Sequence, residues 1–531
     1  MIMRFSLFRD AILVLVGATF MYFVSIFAPI VSRQTFINAV SLRTTAPDRS
    51  ETGTLIHSTS SAVAFKPSAS PVPSLPSSNL ASDLPETSII AHAPGWTLFR
   101  NLYMSNSTFF IVSDSPSDFP EIRLMASNPV PAENTPENIA LREPTADNMA
   151  VLTSAEAKHR WSDDNKARIL SVEGNTVLVN EPSQFLRHYY HLVAELFFGI
   201  QAFWHGAFST PSYDPDRDYI LGPYPAPPPI HRVIFARTDA AGWRDDPGYN
   251  VYVMRAAFPA TSIEEARAWE DRAFITSSGD RAWHFPLLLL TDRSASHRGR
   301  ICGSQTQRIA SEAVEAMRHR GQLVGARVGG WWEPVRSAVL RFARAELPAS
   351  QQDQAVLSNT AATGKARLPT PANIVITYTS RQIAGHRKLT PESHAGLVQA
   401  LKELVQRKGW ELNVMEPEKL SKEEQLSIIA RTTILVGVHG NGLSHLVMLP
   451  PNRFSSVVEI FYPLGFAHDY QWTAKALGMR HFTMWNDTYR TEGVGEGKPD
   501  YAYPEGFQGN SIPVHGPAVA QLIEDHIEGR V

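Results

Sequence analysis

From Asn373 to Trp485 the chain alternates short apolar runs with longer amphipathic ones. NIVITYTS, WELNVME, ILVGVH, SVVEIF and RHFTMW read as strands; SHAGLVQALKELVQRKG, KEEQLSIIARTT, NGLSHLVML and DYQWTAKALG between them read as helices. Strands separated by helices at this spacing predict a parallel sheet with right-handed crossovers. Upstream, from about Ala93 to Leu347, the short apolar runs HRVIFAR, YNVYVMR, RAFIT and FPLLLLTD alternate with the amphipathic IEEARAWEDR and QRIASEAVEAMRH, which predicts a second, less regular α/β domain. A polar stretch closed by Pro369 and Pro371, Ala349–Ala372, separates the two as a linker. The expected division is an N-terminal α/β domain over 93–348, the linker 349–372 and a C-terminal domain over 373–531.

The longest apolar run lies near the start. AILVLVGATFMYFVSIFAPIV, residues 11–31, holds 21 residues without a charge. At 1.5 Å rise per residue it matches the roughly 30 Å of a bilayer's hydrocarbon core. It exceeds the roughly 7 to 15 apolar residues of a cleaved signal peptide, and Tyr22, Phe23 and Phe27 keep it bulky, so a membrane anchor is the expectation. Arg4 and Arg9 before it nearly balance Arg33 and Arg43 after it; the shortness of the 1–10 flank argues for a cytoplasmic tail. Residues 32–92 are rich in Ser, Thr, Pro and Ala, a composition that buries too little apolar surface to offset its ordering entropy, and read as a disordered stem.

With 531 residues, 43% of them hydrophobic, there is material for two cores. A formal net charge of -3 and no long basic run exclude nucleic acid as an expected partner. Cys302 is the only cysteine, so no intrachain disulfide can form and a nucleophilic role is not expected of it. On the lumenal side of a membrane Asn106 and Asn486, each in an Asn-x-Thr triplet, would be glycosylation acceptors.

The chemistry concentrates in VGVHGNGLSHLVMLPP, Val436–Pro451, where His439 stands among Gly437, Gly440 and Gly442 between a strand and a short helix. In a parallel sheet the ligand crevice lies beyond the carboxyl ends of the strands, where these residues fall. The glycines permit a tight turn and let an anion approach backbone N–H groups; a turn without a ligand is the plain alternative. The spacing is GxxGxG rather than the dinucleotide GxGxxG, which disfavours a dehydrogenase.

In order along the chain, TYTSRQIAGHRKL, then VMEPEKLSKEEQLSIIARTTILVGVHGNGLSHLVMLPPN, then SVVEIFYP resemble the catalytic region of glycosyltransferase family 61, whose members carry an SR…R element, a "GxHGAGL" turn and a "VVEI" strand. More loosely, FLRHYYHLVAELFFGIQAF resembles that family's "NFFHWLLEELPRL" helix. The likeness spans about residues 180 to 485. Asn441 replaces the usual alanine, and the proline after the Glu-rich helix is missing. The resemblance implies a GT-B arrangement, two Rossmann-like domains facing across a cleft, with the second holding a nucleotide sugar. It further implies a type II single-pass protein of the Golgi or endoplasmic reticulum membrane, catalytic part lumenal. The implied reaction is an inverting transfer from a UDP-sugar, GlcNAc or xylose foremost, to a glycan or glycoprotein acceptor, with no cofactor and no metal required.

Without a metal the protein must neutralise the departing diphosphate itself. Arg381 at a strand end, with Arg387 and Lys388 in the same loop, supplies the cations beside the turn of His439, Gly440, Asn441 and Gly442. Glu459, ending SVVEIF, either accepts hydrogen bonds from a ribose or caps a backbone turn. His439 donates a hydrogen bond to a phosphate or sugar oxygen or, if neutral, takes a proton from the acceptor hydroxyl; the donor role is preferred. On the acceptor side His188, His191 and Glu195 share one helical face, and His191 or Glu195 is the candidate base. No HExxH spacing supports zinc there, and the Asp-x-Asp of DPDRD, Asp214–Asp218, lies in a proline-rich run that reads as a loop. The competing function is an inactive, membrane-tethered glycan-binding or chaperone-like relative with the same fold.

Overall fold

The structure is a computed structural model and describes residues 84–133, 135–163, 166–209, 227–295, 313–320, 330–345, 369–491 and 502–531. The apolar run 11–31, the stem up to residue 83, Cys302, Asp214–Asp218 and the linker up to residue 368 lie outside the described residues. Among the described residues no helix is long and apolar enough to cross a membrane. The expected stem runs too far: Leu84 is buried and Ser88–Ala93 forms a strand of the first sheet, because Ile89 to Ala93 pair with Trp96 to Phe99.

That sheet has nine strands. In chain order they are β1 (Ser88–Ala93), β2 (Trp96–Ser105), β3 (Thr108–Val112), β4 (Met149–Leu152) and, after a small separate ribbon of β5 (Ser162–Asp163) and β6 (Lys166–Ala167), β7 (Ile169–Ser171), β8 (Asn175–Pro182), β9 (Arg232–Arg237), β10 (Ser262–Glu264) and β11 (Ala282–Thr291). They lie in the order β10-β9-β8-β11-β2-β3-β4, with β1 also on β2 and β7 on β11. The four strands β8 to β11 are parallel and, numbered among themselves, run 3-2-1-4, the order in which dinucleotide folds begin. Beyond β11 the pairing turns antiparallel through β2, so this sheet is mixed rather than a regular Rossmann sheet. Two apolar runs of this half are helical. YNVYVMR lies in the helix Tyr249–Ala257, whose first N–H groups, on Tyr249 and Asn250, are taken by the Asp245 carboxylate. RAFIT is the last turn of Ala266–Ile275 and leaves Phe274 exposed.

The second sheet holds β12 (Val375–Thr379), β13 (Glu411–Met415), β14 (Ile434–Val438), β15 (Ser456–Phe461), β16 (Arg480–Trp485) and β17 (Thr488–Thr491) in the order β13-β12-β14-β15-β16-β17. Its first five strands are parallel in the doubly wound order 2-1-3-4-5, with β17 added antiparallel. Every residue of β14 and β15 is buried, as expected of parallel strands covered on both faces. Local signals fix the helices. Thr390 caps Pro391–Lys408 through the N–H of Ser393, Gly409 ends that helix at φ 71°, and Ser421 and Glu424 cap Lys422–Ile429 reciprocally. The turn after β14 is a tight 3-10 helix, Asn441–Met448, short because Gly440 precedes it and Pro450 and Pro451 follow.

The two sheets share one hydrophobic core. It runs from Trp96, Phe198 and Trp332 to Leu446, Val447, Tyr470 and Ala474 without a break, and Trp332 Nε1 donates to the carbonyl of Val447 at 2.9 Å. Leu446 sits fully buried within it. Leu446→Ala is expected to lower stability by about 2–5 kcal/mol through lost contacts and a cavity, read as a lower midpoint in urea unfolding.

Candidate functional site

In the second sheet the chain order reverses between β12 and β14, so the crevice at the carboxyl ends of these two strands is the expected ligand position. Arg381 follows β12, and His439 and Gly440 follow β14. The glycines let the two strand ends close on one another. A Cβ on Gly437 would stand 2.6 Å from Thr379 Cγ2, one on Gly442 2.9 Å from Thr379 Oγ1, and one on Gly440 2.6 Å from Arg381 Nη1. Gly440 also holds φ 150°, where a side chain is strained. Gly437 and Gly442 thus serve packing against Thr379, while Gly440 makes room for a guanidinium. Gly440→Ala is expected to displace Arg381 and so weaken any anion held at this turn by about 10-fold, the worth of one charge-assisted hydrogen bond; isothermal titration with UDP as the probe checks this.

The cations are held in an unusual state. Arg381 Nε, Arg387 Nε and Thr379 Oγ1 are buried without a hydrogen-bond partner, and neither arginine forms an ion pair with a carboxylate among the described residues. The contact that steadies Arg381 is a 3.3 Å bond from Nη2 to the carbonyl of His386. Arg387 adopts the left-handed conformation, φ 57°, which a long side chain keeps only when its surroundings impose it. Burial, and then the charge of Arg387, lowers the Arg381 pKa from the usual arginine value. Buried donors without acceptors and like charges without a counterion describe a site built for an anion. Lys388 pairs its backbone with Gly509 and Ile512, and no described side-chain contact joins it to the arginines. Asn441 turns its Oδ1 to the hydroxyl of Ser444 and so braces the 3-10 turn.

His439 stands beside this group, stacked on Phe461 with ring centroids 5.1 Å apart and edged by Tyr470 at 5.6 Å. Its Nδ1 meets Glu459 Oε1 at 2.5 Å, and His481 Nε2 meets Glu459 Oε2 at 2.7 Å. The ribose role for Glu459 fails on this geometry. The carboxylate is fully buried, and both oxygens are occupied by imidazoles. Glu459 instead holds the ring of His439 through Nδ1, so that Nε2 is the ring nitrogen turned away from the carboxylate. Burial pushes Glu459 up to about 7 and pushes His439 down, the latter opposed by the hydrogen bond to Glu459.

From the first half, the segment Tyr190–Phe197 is π-helical, a wide turn that brings His191 Nδ1 to 2.7 Å from Glu195 Oε2. The His188 ring lies 5.0 Å from that of His191, with its Nδ1 buried and unpartnered. Burial foremost, then the charges of His191 and Arg387, lower the His188 pKa to about 3, so the arginines of the second half act across the gap. Tyr190 and Tyr470 join the two sides: Tyr190 donates to the carbonyl of Asp469 at 2.6 Å and packs on Tyr470 at 4.8 Å. An open cavity of about 450 Å³ lies against Gln184, Phe185, Arg187, His188, His191 and Asp246.

Sequence reasoning missed the partners behind Glu195. Glu195 is 1% exposed and pairs with Arg293, which also pairs with Glu181 at 2.6 Å. The available signal was position: Arg293 follows the apolar run LLLLTD as Arg381 follows VITYTS, and Glu181 closes β8. Asn106 and Asn486 are exposed in the turns of the β2–β3 and β16–β17 hairpins, at φ 50° and 48°, a backbone state that asparagine tolerates on its own account. His445 is buried, bonds Gln425 and packs on Tyr189 and Tyr249. Among the described residues no three His, Cys, Asp or Glu side chains are grouped to hold a metal.

No curated protein matches the chain. The family model described as Glycosyltransferase 61 matches residues 189–458, from the start of the π-helical segment that carries His191 and Glu195, through Arg381 and His439, into β15. That match covers half of the 531 residues. The chain belongs to glycosyltransferase family 61 and is a glycosyltransferase.

Proposed function

We propose that the protein transfers a sugar with inversion from a UDP-sugar, GlcNAc or xylose foremost, to a hydroxyl of a glycan or glycoprotein. The observation that carries this is the half-buried pair Arg381, beside Gly440 at the β12/β14 switch point, and Arg387, each with a buried Nε that has no hydrogen-bond partner and neither paired with a carboxylate among the described residues. The first sheet has its own switch point between β8 and β11, but the Arg293–Glu181 pair fills it, which favours the second sheet for the nucleotide. The two halves then form the GT-B pair, donor on one side and acceptor in the cavity at His191. As the acceptor oxygen bonds to the sugar's anomeric carbon, His191 Nε2 takes its proton. The bond from that carbon to the diphosphate breaks, and its electron pair leaves on the phosphate oxygen facing Arg381 and Arg387. His439 Nε2, oriented by Glu459, serves the donor's phosphate or sugar oxygens. Two fixed cations at the leaving group support a reaction without a metal. An anchor at residues 11–31 would place it in the Golgi or endoplasmic reticulum membrane with the fold lumenal.

The test is a thermal shift of the full chain against UDP, GDP, UDP-GlcNAc and UDP-xylose, each with and without EDTA, followed by a donor panel read by mass spectrometry. A nucleotide at 100 times its Kd should stabilise the protein by about 2.7 kcal/mol. Silence toward every nucleotide would point to the inactive, glycan-binding relative instead.

A further inference from the structure

Arg293 lies just beyond β11 and is 1% exposed. Its guanidinium is fully committed. Nε donates to Glu181 Oε1 at 2.7 Å and Nη2 to Glu181 Oε2 at 2.6 Å, while Nη1 donates to Glu195 Oε1; the backbone N–H of Arg293 adds a 3.1 Å bond to Glu181 Oε1. The other oxygen of Glu195 meets His191 Nδ1 at 2.7 Å. The neighbouring Asp292 is pinned by the N–H and hydroxyl of Ser127 and by Asn180 Nδ2, so the segment carrying Arg293 is fixed from a second side. A line of contacts therefore runs Glu181, Arg293, Glu195, His191, from the buried end of β8 to the open cavity.

We propose that Arg293 is a positioning residue for His191: clamped by Glu181, it fixes the Glu195 carboxylate so that His191 holds its proton on Nδ1 and turns a bare Nε2 to the acceptor. The proposal rests on His191 being the group that takes the acceptor proton. The physical argument is one of charge. Two buried carboxylates this close to one guanidinium would, without it, force a proton onto one of them, and a protonated Glu195 no longer holds Nδ1–H in place. Arg293 stands between the two, bonded to Glu181 through Nε and Nη2 and to Glu195 through Nη1. The proton that His191 receives during transfer arrives on the ring whose other nitrogen already meets the Glu195 carboxylate. Burial alone would lower the Arg293 pKa; Glu181 and Glu195 more than reverse that and raise it. The guanidinium is thus a permanent charge.

The experiment reads the tautomer directly. In the full chain with 15N-labelled histidine, long-range proton–nitrogen correlation at pH 8.5, with His191 assigned by its loss in His191→Asn, should show the Nδ1–H form in the wild type. Arg293→Met combined with Glu181→Gln removes the cation and one carboxylate together, so that Glu195 is the one buried carboxylate of the cluster left without its cation. Arg293→Lys keeps the charge without the planar fork and serves where the double variant fails to fold. Either variant should mix the Nε2–H tautomer into the His191 signal. Turnover with the donor selected by the panel above should fall about 10- to 100-fold at unchanged donor KM, less in the lysine variant. A folded variant in which His191 stays wholly in the Nδ1–H form overturns the proposal, whatever happens to turnover. A shifted tautomer with unaltered turnover upholds the positioning and removes His191 from its role as base.

Discussion

Replacement of His191 by alanine is expected to lower kcat by about 10²- to 10⁴-fold, the usual contribution of a positioned general base. Donor affinity should be nearly unchanged, because the ring packs on Phe185, His188 and Tyr190 and bonds Glu195 rather than either arginine. Folding should survive, since His191 borders an open cavity and the buried Glu195 keeps its bond to Arg293. Single-turnover kinetics, a UDP titration and a melting curve separate these effects. Turnover within threefold of wild type would remove His191 from the chemistry and leave His439 as the group to test.

Arg381→Ala should cut both nucleotide affinity and transfer, since each charge-assisted hydrogen bond to phosphate is worth roughly 1.5–3 kcal/mol, or about 10- to 150-fold. Arg381→Lys should recover part of the loss: it restores a point charge but not the flat pair of donors. Stability should hold or rise slightly in the alanine variant, because the wild-type protein keeps Arg381 half-buried beside the like charge of Arg387. Transfer rate, UDP affinity and melting temperature for the three proteins decide it. Normal affinity and turnover in Arg381→Ala would show that the diphosphate lies elsewhere.

The second half was legible because its alternation is regular: SVVEIF and RHFTMW are strands to the residue, and Arg381 and His439 meet where the strand order reverses. The first half was harder. Its parallel strands β8 to β11 continue into the antiparallel β1–β3 group, and YNVYVMR owes its helix to a cap by Asp245 rather than to periodicity. Strand-end position was enough to single out Glu459, but its function is set by His439 and His481, about twenty residues away on either side of β15, which no spacing rule pairs. The Glu181–Arg293–Glu195 cluster was hidden more deeply still. Its members lie 112 and 98 residues apart and are brought together by sheet order, for Glu181 and Arg293, and by the π-helical segment that carries Glu195.

The unbroken core beneath both sheets bears on how substrates come and go. Swinging the halves apart like jaws would wet the seam around Leu446, Val447 and Tyr470. Exposing even 200 Å² of apolar surface costs about 5 kcal/mol. Such a gap would hold the jaws shut in all but a few molecules per ten thousand. Entry of the donor and departure of the spent nucleotide therefore fall to the rim: the strained Arg387 loop on one side, and on the other the Leu464 turn, which stands exposed at φ 64°. Turnover would then follow the mobility of two short loops, and changes there would alter the rate of release while the chemistry at the anomeric carbon stayed the same.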